Sequence, residues 1–277
     1  MSVKLSLTLP SLFPEPAIRV IENVRATVRD IDYEILLVSP FEVTGPNVRW
    51  VREETPKGAG VASAIAYAHS TGDIIFPLAD DIELNHGWAT EGLKALLRFE
   101  RDRPYALGVG QTNMIVGTVF GIYYPFFPMV RRATLEAVGG FYLSNYKHHF
   151  TDSDFALRIW SIGGACGFTE RGYIVRTPRE AGASAATAQQ LANSRAESIR
   201  RDMDVFTQAW APRYGQGWRL EDLRDFNIDV DAIFRMFVAD GNTIYLNDSS
   251  FADAHRRYVR NMAGFRLNVQ IDVTAVV

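Results

Sequence analysis

Ile74-Ile75-Phe76-Pro77-Leu78-Ala79-Asp80-Asp81-Ile82 is the stretch on which the fold turns. An apolar run of strand length ends in two adjacent carboxylates. Strands buried on both faces of a parallel sheet read as short unbroken apolar runs. Ligands of open α/β sheets gather where such strands end. An Asp at that rim can hold Mg²⁺ or Mn²⁺, and the metal in turn holds phosphate oxygens. The competing reading is a polar turn, since Asp favours turns.

Working outward, the preceding residues alternate strand and helix signals. Val3 to Leu9 reads as a strand ending at Pro10. Glu15 to Arg29 reads as a helix, with Ile18, Ile21, Val24 and Val28 on one face. Tyr33 to Val38 and Val48 to Val51 read as strands. A Gly-rich turn, Lys57-Gly58-Ala59-Gly60, opens a helix through Ser70. This β-α-β-β-α-β order predicts a mostly parallel, helix-covered sheet. Downstream, helices are expected at Ala89 to Arg101, Thr134 to Val138 and Asp152 to Ile162, the last two each followed by a glycine pair.

The whole chain has 277 residues, 47% of them hydrophobic and 22% charged, with a net charge of -3. That composition excludes a disordered polyelectrolyte. It also argues against a nucleic-acid partner, because phosphate neutralisation calls for a basic excess. The single cysteine, Cys166, cannot form a disulfide within the chain, so a reducing compartment is expected. No export signal is expected at the N-terminus. The longest uncharged run, Pro104 to Val130, contains Gln111, Thr112 and Asn113 and is broken by Pro125 and Pro128. Those features predict buried strands and a pocket wall rather than a membrane span.

Further motifs follow the Asp pair in order: Arg131-Arg132, Leu135 to Phe141 with its Gly139-Gly140-Phe141 turn, and Thr151-Asp152-Ser153-Asp154-Phe155-Ala156-Leu157-Arg158. Taken as an ordered set over residues 3–180, they resemble glycosyltransferase family 2, inverting nucleotide-sugar transferases of the GT-A fold. The resemblance implies a Rossmann-like, mostly parallel mixed sheet covered by helices. It implies a core over residues 1–185 and a helical extension over 186–277. The extension would end in a strand, because Phe265, Leu267, Val269, Ile271 and Val273 alternate with polar residues. That strand either completes the sheet or pairs with a second subunit, which would make a homodimer.

The same resemblance implies roles residue by residue. Asp81 matches the family's metal-binding Asp, whereas Ala79 stands where the first acid of its D-x-D motif belongs. Asp152 matches the acid that takes the proton from the acceptor hydroxyl, with Thr151 in place of Glu. A local reading competes: Thr151 and Asp154 have the spacing of a capping box. Arg158 is read as a structural ion-pair partner. Pro10, Ser11 and Asp80 would contact the nucleotide sugar, UDP-linked by default. Lys57 would face the diphosphate or simply occupy a solvated turn. The second strand ends in Val38-Ser39-Pro40 and lacks the family's acid, which leaves the base open. The stretch Tyr173 to Arg179 lacks the family's third metal ligand, a His, so Arg176 or Arg179 could neutralise the diphosphate. His148, His149, Tyr123 and Tyr124 are candidates for the acceptor side, or else loop and core residues.

The expected activity is a metal-assisted hexosyltransferase of glycan biosynthesis, using Mn²⁺ or Mg²⁺ and passing a hexose from a nucleoside diphosphate sugar to a hydroxyl acceptor, saccharide or lipid-linked. Two rivals stand beside it. One is a nucleotidyltransferase, against which Pro10-Ser11-Leu12-Phe13 lacks a phosphate loop. The other is a non-catalytic sugar-nucleotide-binding protein, favoured by the missing acids and His. The expected location is cytoplasmic or peripheral at the inner membrane surface. The basic run His255 to Arg260 is balanced within residues 186–277, which hold 12 acids against 11 arginines.

Overall fold

Buried Leu5, Leu7 and Leu9 alternate with equally buried Ser6 and Thr8 in β1 (Lys4–Pro10), so this strand is covered on both faces. The computed structural model describes residues 3–101, 103–111, 117–119, 122–177, 185–210, 244–246 and 269–271. After β1 come α1 (Pro14–Thr27), β2 (Asp32–Ser39), β3 (Val48–Arg52), α2 (Ala59–His69) and β4 (Ile74–Pro77). Then follow β5 (Ile82–Leu84), α3 (Trp88–Phe99), β6 (Tyr105–Gln111), β7 (Gly117–Val119), β8 (Ile122–Tyr124) and β9 (Pro128–Arg131). The described chain continues with α4 (Arg132–Ala137), α5 (Thr151–Ser161), β10 (Ala165–Arg176), α6 (Ala185–Trp210), β11 (Ile244–Leu246) and β12 (Val269–Ile271).

Eight strands form one sheet in the order β3-β2-β1-β4-β9-β6-β10-β5. Strands β3, β2, β1 and β4 run parallel to one another, and β6 is parallel to β10. Strand β9 is antiparallel to both β4 and β6, and β5 is antiparallel to β10. The sheet is therefore mixed and mostly parallel, as the sequence predicts. Alternation along β2 shows how both faces are filled. Ile35 and Leu37 join Ala17, Val20, Ile21 and Val24 of α1 in the main core. Leu36 and Val38 pack on Ala62 and Ala66 of α2.

Proline at the first turn starts α1, where no backbone donor is lost. The uncharged run predicted as strands contains β6, β7, β8 and β9. Strands β7 and β8 pair with each other outside the large sheet. Among the described residues, no helix is long and apolar enough to cross a membrane.

One expectation is corrected. Within the alternating C-terminal stretch, β12 pairs in parallel with β11 in a separate two-stranded sheet and does not complete the eight-stranded one. Its ladder bonds go to residues 244–246, a partner that period-two alternation cannot name. The basic run His255 to Arg260 lies outside the described residues. The last turns of α6 enter the main core through Phe206 and Trp210. The Phe206 ring stacks on Phe150 with centroids 5.1 Å apart.

Candidate active site

Parallel β3, β2, β1 and β4 end side by side on one rim of the sheet. Ser11 follows β1, its amide bonded to Val38 O at 3.1 Å. Its hydroxyl donates to Oδ2 of Asp80 at 2.8 Å, so the chain after β1 is tied to the acidic pair after β4. Arg19 of α1 donates from one guanidinium nitrogen to Asp80 O at 3.2 Å and to the Thr177 hydroxyl at 3.1 Å. The Thr177 amide donates to Asp81 O at 2.8 Å. The acidic turn is thus clamped between α1, β1 and the end of β10. Sequence reading named Ser11, Asp80 and Asp81 but passed over Arg19, which carries no local signal on the polar face of an amphipathic helix.

The second cluster surrounds the start of α5. Phe150 precedes that helix in the left-handed conformation, φ 62°, which is uncommon for a non-glycine residue. Asp152 lies in the first turn, where the helix dipole favours negative charge. The Tyr142 hydroxyl donates to its Oδ1. Burial, then the charge of Asp152, pushes the Tyr124 phenol up to about 12, while a hydrogen bond with Ser153 acts the other way. Tyr124, of the uncharged run, therefore abuts the start of α5. Its ring meets Phe126 edge-on at 5.2 Å.

The capping-box reading of Thr151 and Asp154 is not met. No side chain caps α5; Thr151 is its first residue, and the Asp154 amide bonds Phe150 O at 2.8 Å. The Asp154 carboxylate, 3% exposed, instead accepts from Tyr146 at 3.1 Å, from Trp210 Nε1 at 2.8 Å and from Arg158 Nε at 2.8 Å. Three side-chain donors, from Tyr146, Arg158 and Trp210, outweigh one local backbone contact. Arg158 is a structural ion-pair partner, as expected. It also donates to Val138 O and Gly140 O at 2.8 Å and to Phe141 O at 2.5 Å, which fastens the glycine-pair turn to α5.

Residues 147–149, just before α5, tie it to the start of α2. The Gly60 amide donates to Lys147 O at 2.7 Å, and the Ala59 amide to Nδ1 of His148 at 3.2 Å. These first amides of α2 are therefore taken up by the loop that bears the two histidines. The approach is close: a Cβ on Gly58, where φ is 116°, would lie 2.5 Å from Lys147 O. The loop is held from its other side by Asp202 of α6, wholly buried. Its Oδ2 accepts from the amides of His148 at 2.8 Å and His149 at 2.9 Å, and its Oδ1 from Lys147 at 3.0 Å. Burial opposes ionisation of Asp202, but these amides and Arg201 outweigh it and hold the carboxyl below the usual carboxylate range. A run of amides opposite an acid 53 to 55 residues away leaves no trace in sequence spacing.

Of the remaining candidates, Pro10 ends β1 and Lys57 is exposed, its amide bonded to Glu53 Oε1 at 3.1 Å. Tyr123 is a residue of β8, paired with Thr118. Arg176 pairs with Ile82 at the start of β5. Arg179 lies outside the described residues. No group of three or more His, Cys, Asp or Glu that could hold a metal occurs among the described residues. Asp80 and Asp81 put two adjacent carboxylates at the rim, oxygen donors of the type a Mg²⁺-like ion takes when substrate phosphates complete its coordination.

The strand order, the covered sheet and the acidic turn at its rim define a GT-A fold, the fold of nucleotide-sugar glycosyltransferases. Among particular proteins, the chain is similar to the mannosyltransferase PcManGT from Pyrobaculum calidifontis, solved with GDP-Man and Mn²⁺. The TM-score is 0.55 at 16% identity, over 96% of this chain and 77% of that one. It is similar to GalNAc-T7, solved with UDP, GalNAc and Mn²⁺, with a TM-score of 0.54 at 12% identity over 86% of this chain. It spans 57% of the length of that GalNAc-T7 chain. It is also similar to S. aureus TarS 1–349, with a TM-score of 0.50 at 13% identity, over 95% and 93% of the two chains. No family model and no curated protein matches the chain.

Proposed function

We propose that this protein is a glycosyltransferase that moves a hexose from a nucleoside diphosphate sugar to a hydroxyl acceptor with inversion. The observation that carries this reading is Asp152, a carboxylate in the first turn of α5, hydrogen-bonded by Tyr142 and beside Tyr124 of the uncharged run. It is supported by the likeness to solved structures holding UDP or GDP-Man with Mn²⁺.

In this reading the strand-end rim takes the donor. Ser11 and Asp80 contact the nucleotide sugar. Asp81, with Asp80 beside it, would hold a divalent ion, which would stabilise charge developing on the diphosphate leaving group. Lys57, Arg176 and Arg179 are offered as further diphosphate contacts. Asp152 accepts the proton from the acceptor hydroxyl as that oxygen attacks the anomeric carbon, and the diphosphate leaves from the opposite face. Tyr123, Tyr124, His148 and His149 line the acceptor side. Residues 1–185 form the catalytic unit and 186–277 its extension. The setting is cytoplasmic glycan biosynthesis.

A thermal-shift screen of UDP-, GDP-, dTDP- and CMP-sugars, with and without Mn²⁺, tests the donor. A ligand that binds only the folded state raises the melting temperature. No shift with any of them would sink the reading. Asp152→Asn should abolish transfer and leave donor binding intact; near-normal transfer would remove Asp152 from the base role. Release of pyrophosphate from a nucleoside triphosphate and a sugar phosphate would point instead to a nucleotidyltransferase.

A further inference from the structure

Asp202, Phe206 and Trp210 lie four apart on α6, and so form one buried stripe along that helix. All three meet the chain at 147–154. The Asp202 carboxylate takes the amides of Lys147, His148 and His149. The Phe206 ring stacks on Phe150. Trp210 Nε1 donates to Oδ1 of Asp154 at 2.8 Å. One helix thus grips the segment that leads into α5 and the first turn of α5 itself.

What this grip controls follows from helix geometry. Residues two apart on an α-helix point about 200° from each other. Asp152 and Asp154 therefore face opposite sides of α5, and their partners agree. Asp152 meets Tyr142 and Tyr124, whereas Asp154 meets Tyr146, Arg158 and Trp210. Holding the Asp154 side fixes the rotation of α5 about its axis, and so the direction in which the Asp152 carboxylate points. Phe150 adds a second constraint. Its left-handed φ of 62° sets the entry to α5, and a non-glycine residue keeps that conformation where its surroundings over-determine it. The ring packed on it comes from α6.

We propose that the stripe Asp202, Phe206 and Trp210 positions the base, so that α6 belongs to the catalytic unit, past the boundary at residue 185 that the motifs imply. This rests on the glycosyltransferase reading in which Asp152 takes the acceptor's proton. The physical reason is reach. A base must lie within hydrogen-bond distance of the proton it takes, and a displacement of about 1 Å can cost about a hundredfold in rate. The three residues are positioning residues: each acts through α5 and none through contact with substrate.

The test uses the full-length protein with GDP-Man and UDP-sugars as donors, Mn²⁺, and water and a panel of saccharides as acceptors. Release of the nucleoside diphosphate gives the turnover rate, and calorimetric titration gives donor affinity. Trp210→Phe keeps a ring in the core and removes the N–H that Asp154 accepts. Phe206→Leu keeps an apolar side chain and removes the stack on Phe150. Each should lower the turnover rate about tenfold or more, with donor affinity within about twofold of wild type. Glu34→Gln, whose bonds run to Ser6, Thr71 and Arg49, controls for lost stability and should turn over at the wild-type rate. An effect in one α6 variant alone assigns the role to that residue. Unchanged turnover in both overturns the proposal, as does a loss that Glu34→Gln shares or that donor affinity follows. Near-normal turnover in Asp152→Asn, or a wild type that binds no nucleotide sugar, instead fails the reading beneath the proposal and takes the proposal with it.

Discussion

The hydroxyl of Tyr142 donates to Oδ1 of Asp152, so the residue after the Gly139-Gly140-Phe141 turn holds the carboxylate proposed as base. Burial, then the charge of Asp152 and this hydrogen bond, raises the Tyr142 phenol well above its ordinary value. Tyr142 therefore stays a donor through neutral and mildly alkaline pH. Tyr142 stacks on Phe141 with centroids 4.1 Å apart, and Phe141 meets Phe155 edge-on. The turn, the aromatic stack and α5 thus orient Asp152 together.

Tyr142→Phe keeps the stack and removes the donor. A hydrogen bond to a charged group contributes about 1.5–3 kcal/mol. The turnover rate should fall roughly tenfold to a hundredfold, with donor affinity unchanged. Steady-state kinetics alongside titration of the donor separates the two, and an unchanged turnover rate would mean that Tyr142 does not orient the base.

Asp202→Ala should cost about 1–3 kcal/mol, because it takes the buried acceptor away from three loop amides and frees α6 from the loop at 147–149. Hydrogen exchange should show lost protection at the amides of Lys147, His148 and His149. The pH sign follows from a depressed carboxyl: its contribution is complete above the ordinary carboxylate range and fades as pH falls through the lowered value. Exchange rates at those three amides that match wild type would contradict the arrangement.

Glu34 supplies a second acid-sensitive bond. Burial opposes its ionisation, but hydrogen bonds from Ser6 and Thr71 and the nearby Lys4 prevail and lower its pKa from 4.5 to about 2. Stability from this group is full above about 4.5 and is lost as pH falls towards 2, an effect of about 2–3 kcal/mol. Denaturant melts of wild type and Glu34→Gln across pH 2 to 6 should converge at the acid end. Curves that run parallel throughout would rule out this linkage.

Arg158→Lys should destabilise by about 3–5 kcal/mol, since one ammonium cannot serve Asp154 and three carbonyls in the fork geometry of a guanidinium. The loss should appear in urea midpoints without a change in slope. A midpoint within experimental error of wild type would show that solvent replaces those bonds.

Much of the fold was legible because its signals are local. The apolar runs at residues 33–38 and 74–78 supply β2 and β4, and short apolar runs bounded by turn residues suit strands covered on both faces. Helix starts at Pro14 and after Gly58 were legible from residues that suit only those positions. The uncharged run was readable as strands, but their pairing was not. Strand β9 sits between β4 and β6, a neighbour relation that depends on distant partners.

At the site, the strand-end position marked Asp80 and Asp81 as candidates, and the resemblance to the family added Ser11 and Asp152. It misread Asp154, whose spacing from Thr151 suits a local cap. Only the packed chain brings Trp210, Tyr146 and Arg158 to that carboxylate. It also passed over Arg19, Tyr142 and Asp202. Their importance lies in what they face, and side-chain hydrogen bonds between residues 10 to 158 positions apart carry no periodicity. Sequence alone thus determined which segments become strands and helices and where the sheet's rim must lie, since burial and backbone preference act over a few neighbouring residues. The tertiary structure decided which polar groups share a proton, a carbonyl or a buried acid, because those choices depend on partners that meet only after the chain has folded.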